Sequence, residues 1–224
     1  MLRINNLNVT LDELELIKEA NLEMSEGELV LIEGENGSGK SSLVRAVFKY
    51  PGYKISSGQI LLNNEDITNA SVEVIAKMGM YLGLQNVPEI EGISTLSLLY
   101  KAYKNINENN NLSAKDFKDS LVKECEMFGL DTSLLNRDLN VGFSGGEKKQ
   151  ADLIHILALK PKYIFLDEPD SGVDKIAIEK VYKVIEHMRS LGSAIALISH
   201  SKEAEKLNIN RIYKIENGVC SIKK

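Results

Sequence analysis

One eight-residue segment limits what this chain can fold into more than any other part of it. Residues 34–41 read Gly-Glu-Asn-Gly-Ser-Gly-Lys-Ser, between an apolar run at 28–33 and a helical pattern that begins near Lys40. Glycines let the backbone turn tightly with its N–H groups pointing inward, and a helix N-terminus attracts negative charge. The segment therefore predicts a strand, a phosphate-binding loop and a helix in that order. A flexible Gly/Ser turn is the alternative, which the complete spacing disfavours.

The loop also predicts which side chains contact a nucleotide and its metal ion. Lys40 would meet the β- and γ-phosphates, and the Ser41 hydroxyl would ligate Mg²⁺. The predicted nucleotide-binding residues are Gly34, Asn36, Gly37, Ser38, Gly39, Lys40, Ser41 and Ser42.

An apolar strand that ends in two carboxylates is the second chemical signal, at residues 163–168. The carboxyl ends of strands in an open α/β sheet line the ligand crevice, so Asp167 and Glu168 would lie beside the loop. Asp167 can then reach the Mg²⁺ ion, and Glu168 can orient or deprotonate an attacking water. Two acids at a strand end are, taken alone, more often solvated turn residues. The neighbouring loop favours the catalytic interpretation.

Composition disfavours several other classes of protein. With 224 residues, 43% of them hydrophobic, the chain can fill one globular domain. Its formal net charge of −5 provides no overall attraction to nucleic acid or to an anionic membrane. No apolar run approaches the roughly 20 residues of a membrane span. We therefore expect a cytoplasmic protein with no nucleic-acid partner and no direct membrane insertion. Cys125 and Cys220 belong to no CxxC pair and are expected to be core thiols.

Hydrophobic periodicity predicts alternating strands and helices. Short apolar strands between helices indicate a parallel sheet covered on both faces, so the predicted fold class is α/β. Strands are expected at 2–9, 14–24, 28–33, 58–62, 80–85, 163–166, 194–198 and 211–216, and helices at 40–50, 144–159 and 175–190.

The middle of the chain has a different pattern. Apolar residues at three- and four-residue spacing predict a helical subdomain at 87–135. The single domain 1–224 would then have a nucleotide-binding core, 1–86 and 136–224, with this subdomain inserted. The Asn-rich run 105–111 is expected to be a loop between two helices rather than a binding motif.

Residues 143–147, Phe-Ser-Gly-Gly-Glu, precede the acidic strand and resemble the signature motif of ABC ATPases. Gln85 resembles the Q-loop glutamine of that family, residues 171–174 resemble its D-loop, which includes Asp174, and His200 resembles its switch histidine. The resemblance covers nearly the whole chain. It implies a P-loop NTPase fold of the ABC ATPase type, with a parallel core sheet, an N-terminal antiparallel β part and an inserted α-helical subdomain.

The resemblance also implies that two copies share each site, as an ATP-dependent homodimer with ATP and Mg²⁺ as ligands. The loop of one copy would hold the nucleotide while the signature of the other closes over the γ-phosphate. A serine and bare backbone amides at a helix start suit an anion. The signature residues that act in trans would be Ser144, Gly145, Gly146 and Glu147.

Further roles follow from the same resemblance. Gln85 would touch Mg²⁺ or the attacking water, and His200 would contact the γ-phosphate. The implied catalytic residues are Glu168, His200 and Gln85, and the implied metal ligands are Ser41, Gln85 and Asp167. His155 matches no motif position and is interpreted as a packing or surface residue.

Three separated segments, 87–94, 142–149 and 166–172, are similar to the SufC-type ATPases of iron–sulfur cluster assembly. That similarity implies a soluble SufB/SufD-like scaffold as partner, with the contact surface around 85–99. Two other functions remain open. The ATP-binding subunit of a membrane transporter would share every catalytic motif. An ABC protein that acts on DNA or ribosomes is disfavoured by the acidic balance.

Overall fold

A large mixed sheet organises the chain, and the computed structural model describes residues 1–83, 88–107 and 112–223 of it. In chain order its strands are β1 (Leu2–Leu11), β2 (Leu14–Met24), β3 (Leu29–Glu33), β4 (Tyr53–Leu62), β5 (Glu65–Asp66), β6 (Met80–Gly83), β7 (Ile90–Ser94), β8 (Asp138–Leu139), β9 (Tyr163–Asp167), β10 (Ala194–Ile198), β11 (Arg211–Glu216) and β12 (Val219–Ile222). Ten of these described strands form one sheet, in the order β5-β4-β1-β2-β12-β11-β3-β10-β9-β6, and β7 pairs with β8 apart from it.

The centre of the sheet is parallel. Strand β10 pairs in parallel with both β3 and β9, and β9 pairs in parallel with β6. Every residue of β9 and β10 is buried, as expected for parallel strands covered on both faces. Because parallel strands end at the same edge, the segments that follow β3, β9 and β10 lie close together. Those segments are residues 34–39, Glu168, and Ser199 with His200.

The N-terminal part of the sheet is antiparallel. Strand β1 lies between β2 and β4, with Leu2 opposite both Met24 and Leu62. Strand β12 connects the two parts, since it pairs antiparallel with β11 and meets β2 at Lys18. The predicted antiparallel part is therefore present, and it supports the start of β3 and the loop that follows.

Six helices cover the sheet in the described residues. They are α1 (Lys40–Val47), α2 (Val72–Lys77), α3 (Thr95–Ile106), α4 (Ala114–Met127), α5 (Gly145–Leu159) and α6 (Lys175–Ser190). Alternate residues of a strand face opposite sides. Val30 of β3 packs into the core under α1 and α2, whereas Leu31 packs into the core formed with α3 to α6.

Serine side chains cap the N-termini of three helices, α2 in the core and α3 and α4 in the inserted region. The hydroxyl oxygens of Ser71, Ser94 and Ser113 each accept a backbone N–H in the first turn of α2, α3 and α4. Such caps each contribute about 1 kcal/mol, because they satisfy a donor that the helix itself leaves unpaired. Helices α3 and α4 pack on α5 through a core that includes Phe117 and Leu121. The division of the chain at 87 and 135 stays a prediction.

Several predicted elements were wrong in extent, and several short elements of the structure were not predicted. Helix α1 ends at Val47 rather than at residue 50, where Pro51 disfavours helical backbone for the residue before it. Strand β4 begins at Tyr53 rather than at 58, and Asn105 and Ile106 are helical rather than part of a loop. Residues 84–87 and 108–111 lie outside the described ranges. Among the described β-strands and α-helices, the periodicity missed five short ones, namely β5, α2, β7, β8 and β12.

No helix of the described residues is long and apolar enough to cross a membrane. Both cysteines are buried, at 0% exposed for Cys125 and 1% for Cys220. Burial raises the pKa of each thiol to about 12, so neither forms a thiolate readily at neutral pH. These positions agree with the interpretation of both residues as core thiols.

His155 lies within α5, and its Nε2 atom is buried without a hydrogen-bond partner. Burial lowers the pKa of this imidazole to about 4, because a charged ring would lose its hydration. Of the two interpretations left open by the sequence, packing is the one that fits.

We predict that His155→Leu changes how stability depends on pH. The folded-state pKa lies below the unfolded value of 6.5, so the unfolded chain takes up the proton first as the pH falls. The wild type should therefore lose roughly 1 to 2 kcal/mol relative to the variant between pH 7 and pH 5. Urea unfolding at both pH values measures this difference. If wild type and variant differed by the same unfolding free energy at both pH values, the low folded-state pKa assigned to His155 would be contradicted.

Candidate phosphate-binding site

The loop between β3 and α1 is held by close backbone approaches. A Cβ atom on Gly34 would lie 2.5 Å from the carbonyl oxygen of Ile215, and one on Gly39 would lie 2.6 Å from Cδ1 of Ile17. Gly39 also has a φ of 108°, a conformation that L-residues rarely adopt. The glycines therefore let this loop lie against β2 and β11 in a shape that other residues would disrupt.

The start of α1 offers unpaired donors to an anion. Gly39 is the N-cap residue and makes no side-chain cap hydrogen bond, so the first amides of the helix keep their hydrogen-bonding capacity. The Ser38 hydroxyl is buried in the same loop and has no hydrogen-bond partner among the described residues. A buried polar group without a partner costs stability, so this hydroxyl fits a site where a ligand oxygen completes it.

Lys40 carries the positive charge of this loop. Its side chain is 5% exposed, and Nζ donates to the carbonyl oxygens of Gly34 and Glu35, each at 2.8 Å. Burial lowers the pKa of Lys40, while the charges of Glu168 and Asp167 act in the opposite direction. The ammonium group therefore lies over the loop backbone and within the field of both acids.

Ser41, in the first turn of α1, lies next to Asp167, the last residue of β9. The Ser41 hydroxyl donates to Oδ1 of Asp167 at 2.9 Å, and Asp167 is 3% exposed. Mg²⁺ prefers hard oxygen ligands, and a hydroxyl and a carboxylate can bind it together with the oxygens of substrate phosphates. The residues present therefore fit the predicted ion.

Glu168 has an unusual backbone conformation. Its φ is 54°, in the left-handed region that non-glycine residues occupy at a cost of order 1 to 3 kcal/mol. Its N–H donates to the carbonyl oxygen of Ile198 at 3.0 Å. Its own carbonyl oxygen accepts from the Ser171 hydroxyl at 3.0 Å and from Lys149 Nζ. These contacts hold the residue in a conformation that it would otherwise leave.

His200 follows β10, and its Nε2 lies 3.8 Å from Oε1 of Glu168. The preceding residue, Ser199, donates its hydroxyl to Asp170, which also accepts from the Tyr182 hydroxyl. Sequence reasoning missed Asp170 and Tyr182, because only the fold brings them beside Ser199. It also missed Lys149, although that residue lies within the signature segment quoted above.

The predicted signature forms an exposed turn at the start of α5. Ser144 is the N-cap, with its hydroxyl oxygen accepting from Glu147 N at 3.2 Å, and Glu147 Oε2 accepts from Ser144 N at 2.8 Å. Ser144, Gly145 and Gly146 are exposed, and a Cβ on either glycine would meet no atom of the described residues within 4 Å. In the described part of the chain, no hydrogen bond or ion pair joins this turn to the loop at 34–41.

Four other predicted site residues lie at the start of α6, in the loop or in the first turn of α1. Asp174 caps α6 by accepting from Ala177 N at 2.8 Å. Asn36 and Gly37 are exposed in the loop, and Ser42 is half-buried in the first turn of α1. Gln85 lies outside the described residues, so its predicted role stays a prediction.

A cavity of about 600 Å³ adjoins the loop. The loop residues 35–38 form one wall, and Leu16, Lys18 and Asn217 contribute to the other. Its volume lies within the range of pockets that hold cofactors and small ligands. The site therefore has space for more than a phosphate chain.

The amino-acid sequence of the chain is similar to those of proteins of one family. A sequence model described as ABC transporter matches residues 17–171. A probable ABC transporter ATP-binding protein of Streptococcus pyogenes serotype M18 is 37% identical over 202 residues, which cover 89% of this chain and 78% of that protein. A probable ATP-dependent transporter ycf16 of Cyanidium caldarium is 36% identical over 203 residues, covering 89% and 80%.

Solved structures share the fold. A dimeric bacterial ABC transporter cassette has a TM-score of 0.83 and 20% identity, and the likeness covers 100% of this chain and 97% of that one. The dimeric post-hydrolysis state of an ATP-binding cassette, with ADP and phosphate bound, has a TM-score of 0.81 at 20% identity, with the same coverage. The predicted fold class is therefore confirmed.

We predict that Lys40→Ala weakens binding of Mg-ATP by about tenfold to a hundredfold, as expected for loss of hydrogen bonds from a charged donor. Titration calorimetry with a nonhydrolysable analogue measures the affinity. Lys54→Ala, on the exposed side of β4, is the matched control and should bind as the wild type does. Equal affinity for Lys40→Ala and wild type would contradict the role of this lysine.

Proposed function

The chain belongs to the ABC transporter family, whose members bind ATP with Mg²⁺ and hydrolyse it, and from that premise we propose how it works. Two copies close around ATP, and the closure drives a conformational change in a soluble SufB/SufD-like scaffold during iron–sulfur cluster assembly. The observation that carries the ATPase part is the convergence of Lys40, the Ser41–Asp167 pair and the Glu168–His200 pair at one edge of the sheet.

Each side chain in this proposal has a role that its position allows. Lys40 Nζ exchanges the loop carbonyls for phosphate oxygens, and the amides of the loop and of α1 bind the remaining phosphate charge. Ser41 and Asp167 hold Mg²⁺, which withdraws charge from the phosphates when it is bound. Gln85 is proposed as a third contact to that ion or to the attacking water.

Glu168 orients the water and accepts its proton in this mechanism, and His200 contacts the γ-phosphate. The carbonyl contacts from Ser171 and Lys149 fix the backbone of Glu168, so its carboxylate is positioned before nucleotide arrives. With Nε2 and Oε1 3.8 Å apart, His200 can contact the γ-phosphate while Glu168 binds the water that attacks the same phosphate.

The proposed pairing rests on the exposure of the signature turn. Residues 144–146 are capped, exposed and unconnected to the loop of their own copy in the described residues, so they are available to a second copy. The hydroxyl and the amides at this helix start suit an anion. Asp174, at the start of α6, is proposed to line the same interface.

The proposed partner surface, residues 85–99, touches the signature turn directly where it is described. Glu89 pairs with Lys148 of α5 at 2.8 Å, and the carbonyl oxygen of Pro88 accepts from Asn140 at 2.9 Å. Strand β7 pairs with β8, five residues before the turn begins at 144. A partner that moves this surface therefore also moves the turn, which couples partner and nucleotide.

The choice of a soluble scaffold is supported by the three SufC-like segments and by the thiols. Both cysteines are buried with raised pKa values, so thiolate ligands for a cluster would come from the partner rather than from this chain. The alternative is the ATP-binding subunit of a membrane transporter. The relatives from Streptococcus pyogenes and Cyanidium caldarium, both named as probable transporter proteins, support that alternative.

We predict that Glu168→Gln slows steady-state phosphate release by roughly 100-fold or more, because the water loses its general base. Binding of Mg-ATP should persist, and ATP-dependent dimers should accumulate in light scattering because hydrolysis no longer separates them. Glu179→Gln, exposed on α6, is the matched control. An unchanged rate for Glu168→Gln would remove Glu168 from the mechanism.

We predict that the chain purified from its native cell carries a soluble scaffold, and that Ile90→Glu releases it. Ile90 is 43% exposed on β7, and a charge there would be buried by a bound partner. Val72→Glu, 54% exposed on α2, is the matched control and should keep the partner. Mass spectrometry identifies what copurifies. A multi-span membrane protein in its place would replace the scaffold proposal with transport.

A further inference from the structure

The signature turn contains a carboxylate where the proposed pairing brings a triphosphate. Glu147 lies in the first turn of α5, three residues after Ser144. A negative side chain at a helix start is favourable for the helix itself, but it repels a second anion that approaches the same amides. The turn therefore needs a way to carry Glu147 and still accept phosphate.

Both oxygens of this carboxylate have partners. Oε2 accepts from the backbone N–H of Ser144 at 2.8 Å, and Oε1 forms an ion pair with Nη1 of Arg137. The pKa of Glu147 is lowered, first by the Ser144 backbone hydrogen bond and also by Arg137, so the group stays ionised and paired. The negative charge of Glu147 is thus balanced by the positive charge of Arg137.

Arg137 holds the rest of the turn as well. Its Nη2 donates to the carbonyl oxygen of Gly142 at 3.2 Å, and its guanidinium carbon lies 4.2 Å from the centroid of the Phe143 ring. The planar guanidinium can make these contacts at once, whereas a lysine ammonium cannot. Gly142 and Phe143, just before the turn, and Glu147, at its end, therefore all contact the Arg137 side chain.

The backbone of Arg137 is fixed in turn by α3. Its carbonyl oxygen accepts from Thr95 N at 2.9 Å and from the Thr95 hydroxyl at 3.2 Å, and Thr95 is fully buried. Arg137 also follows the short 3-10 helix Thr132–Asn136, whose Leu134 carbonyl accepts its N–H. The guanidinium is therefore presented from a backbone position that α3 and the 3-10 helix hold in place.

We propose that Arg137 is a positioning residue for ATP-dependent pairing: with Glu147 it makes the signature turn electrically neutral and holds it in the shape that closes on the phosphates bound by a second copy. The inference rests on the paired site proposed above. Arg137 acts through the turn and does not itself contact nucleotide. Its importance should depend on the charge of Glu147.

A double-mutant cycle tests that dependence. Arg137→Met, Glu147→Gln and the double variant are compared with wild type, each made in the full chain, for ATP-dependent dimerisation by light scattering and for ATPase rate. We expect Arg137→Met to raise the dimer dissociation constant about tenfold or more, since it leaves a carboxylate without its counter-charge. In the Glu147→Gln background the same change should cost about twofold or less.

Two further measurements separate this role from a general loss of structure. Affinity of a fluorescent ATP analogue at protein concentrations too low for pairing should be the same for Arg137→Met and wild type. Arg3→Met is the matched control, because Arg3 has the same 38% side-chain exposure and also pairs with a glutamate. It should leave dimerisation unchanged.

The outcomes distinguish this inference from the proposal beneath it. Equal losses from Arg137→Met in both backgrounds, or no loss in either, would overturn the role of Arg137 while leaving the shared site intact. Failure of the wild type itself to pair with ATP, at any protein concentration, would overturn the shared site first. A loss confined to the Glu147 background supports the role assigned here.

Discussion

Parallel pairing of β3, β10 and β9 is the constraint on which the rest of this structure depends. Because the three strands run in one direction, the loop after β3, the acids after β9 and the histidine after β10 meet at one edge. The Ser41–Asp167 hydrogen bond then connects α1, which follows the loop after β3, to the end of β9, although the two residues are far apart in the sequence. The antiparallel strands contact the loop, and helix α3 of the inserted region supports the signature turn through Arg137.

The sequence was sufficient for the parts of the site that depend on local spacing. The loop at 34–41 and the acids at 167 and 168 could be assigned because each is a short segment with one structural context. Periodicity also identified the buried strands β9 and β10 to within a residue. It missed β7 and β8, since their pairing joins segments more than 40 residues apart and neither has a long apolar pattern.

Contacts between segments could not be predicted in the same way. The carbonyl of Glu168 is bound by Lys149, and the turn at 142–147 is bound by Arg137, although both cations look like ordinary surface residues in the sequence. The left-handed backbone of Glu168 could not be predicted from the sequence either, because glycine is the residue type that usually indicates such a conformation. These contacts follow from tertiary packing, and Arg137 in addition connects the signature turn to Thr95 of α3.

The burial of Cys125 and Cys220 has a practical consequence for following the motion of the molecule. With both native thiols enclosed and protonated, a single cysteine introduced on an exposed turn would be the one group that reacts quickly with a maleimide dye. Donor and acceptor dyes attached at such a position on separate copies would report their approach by energy transfer. The native sequence thus provides a labelling background that needs no prior removal of cysteine.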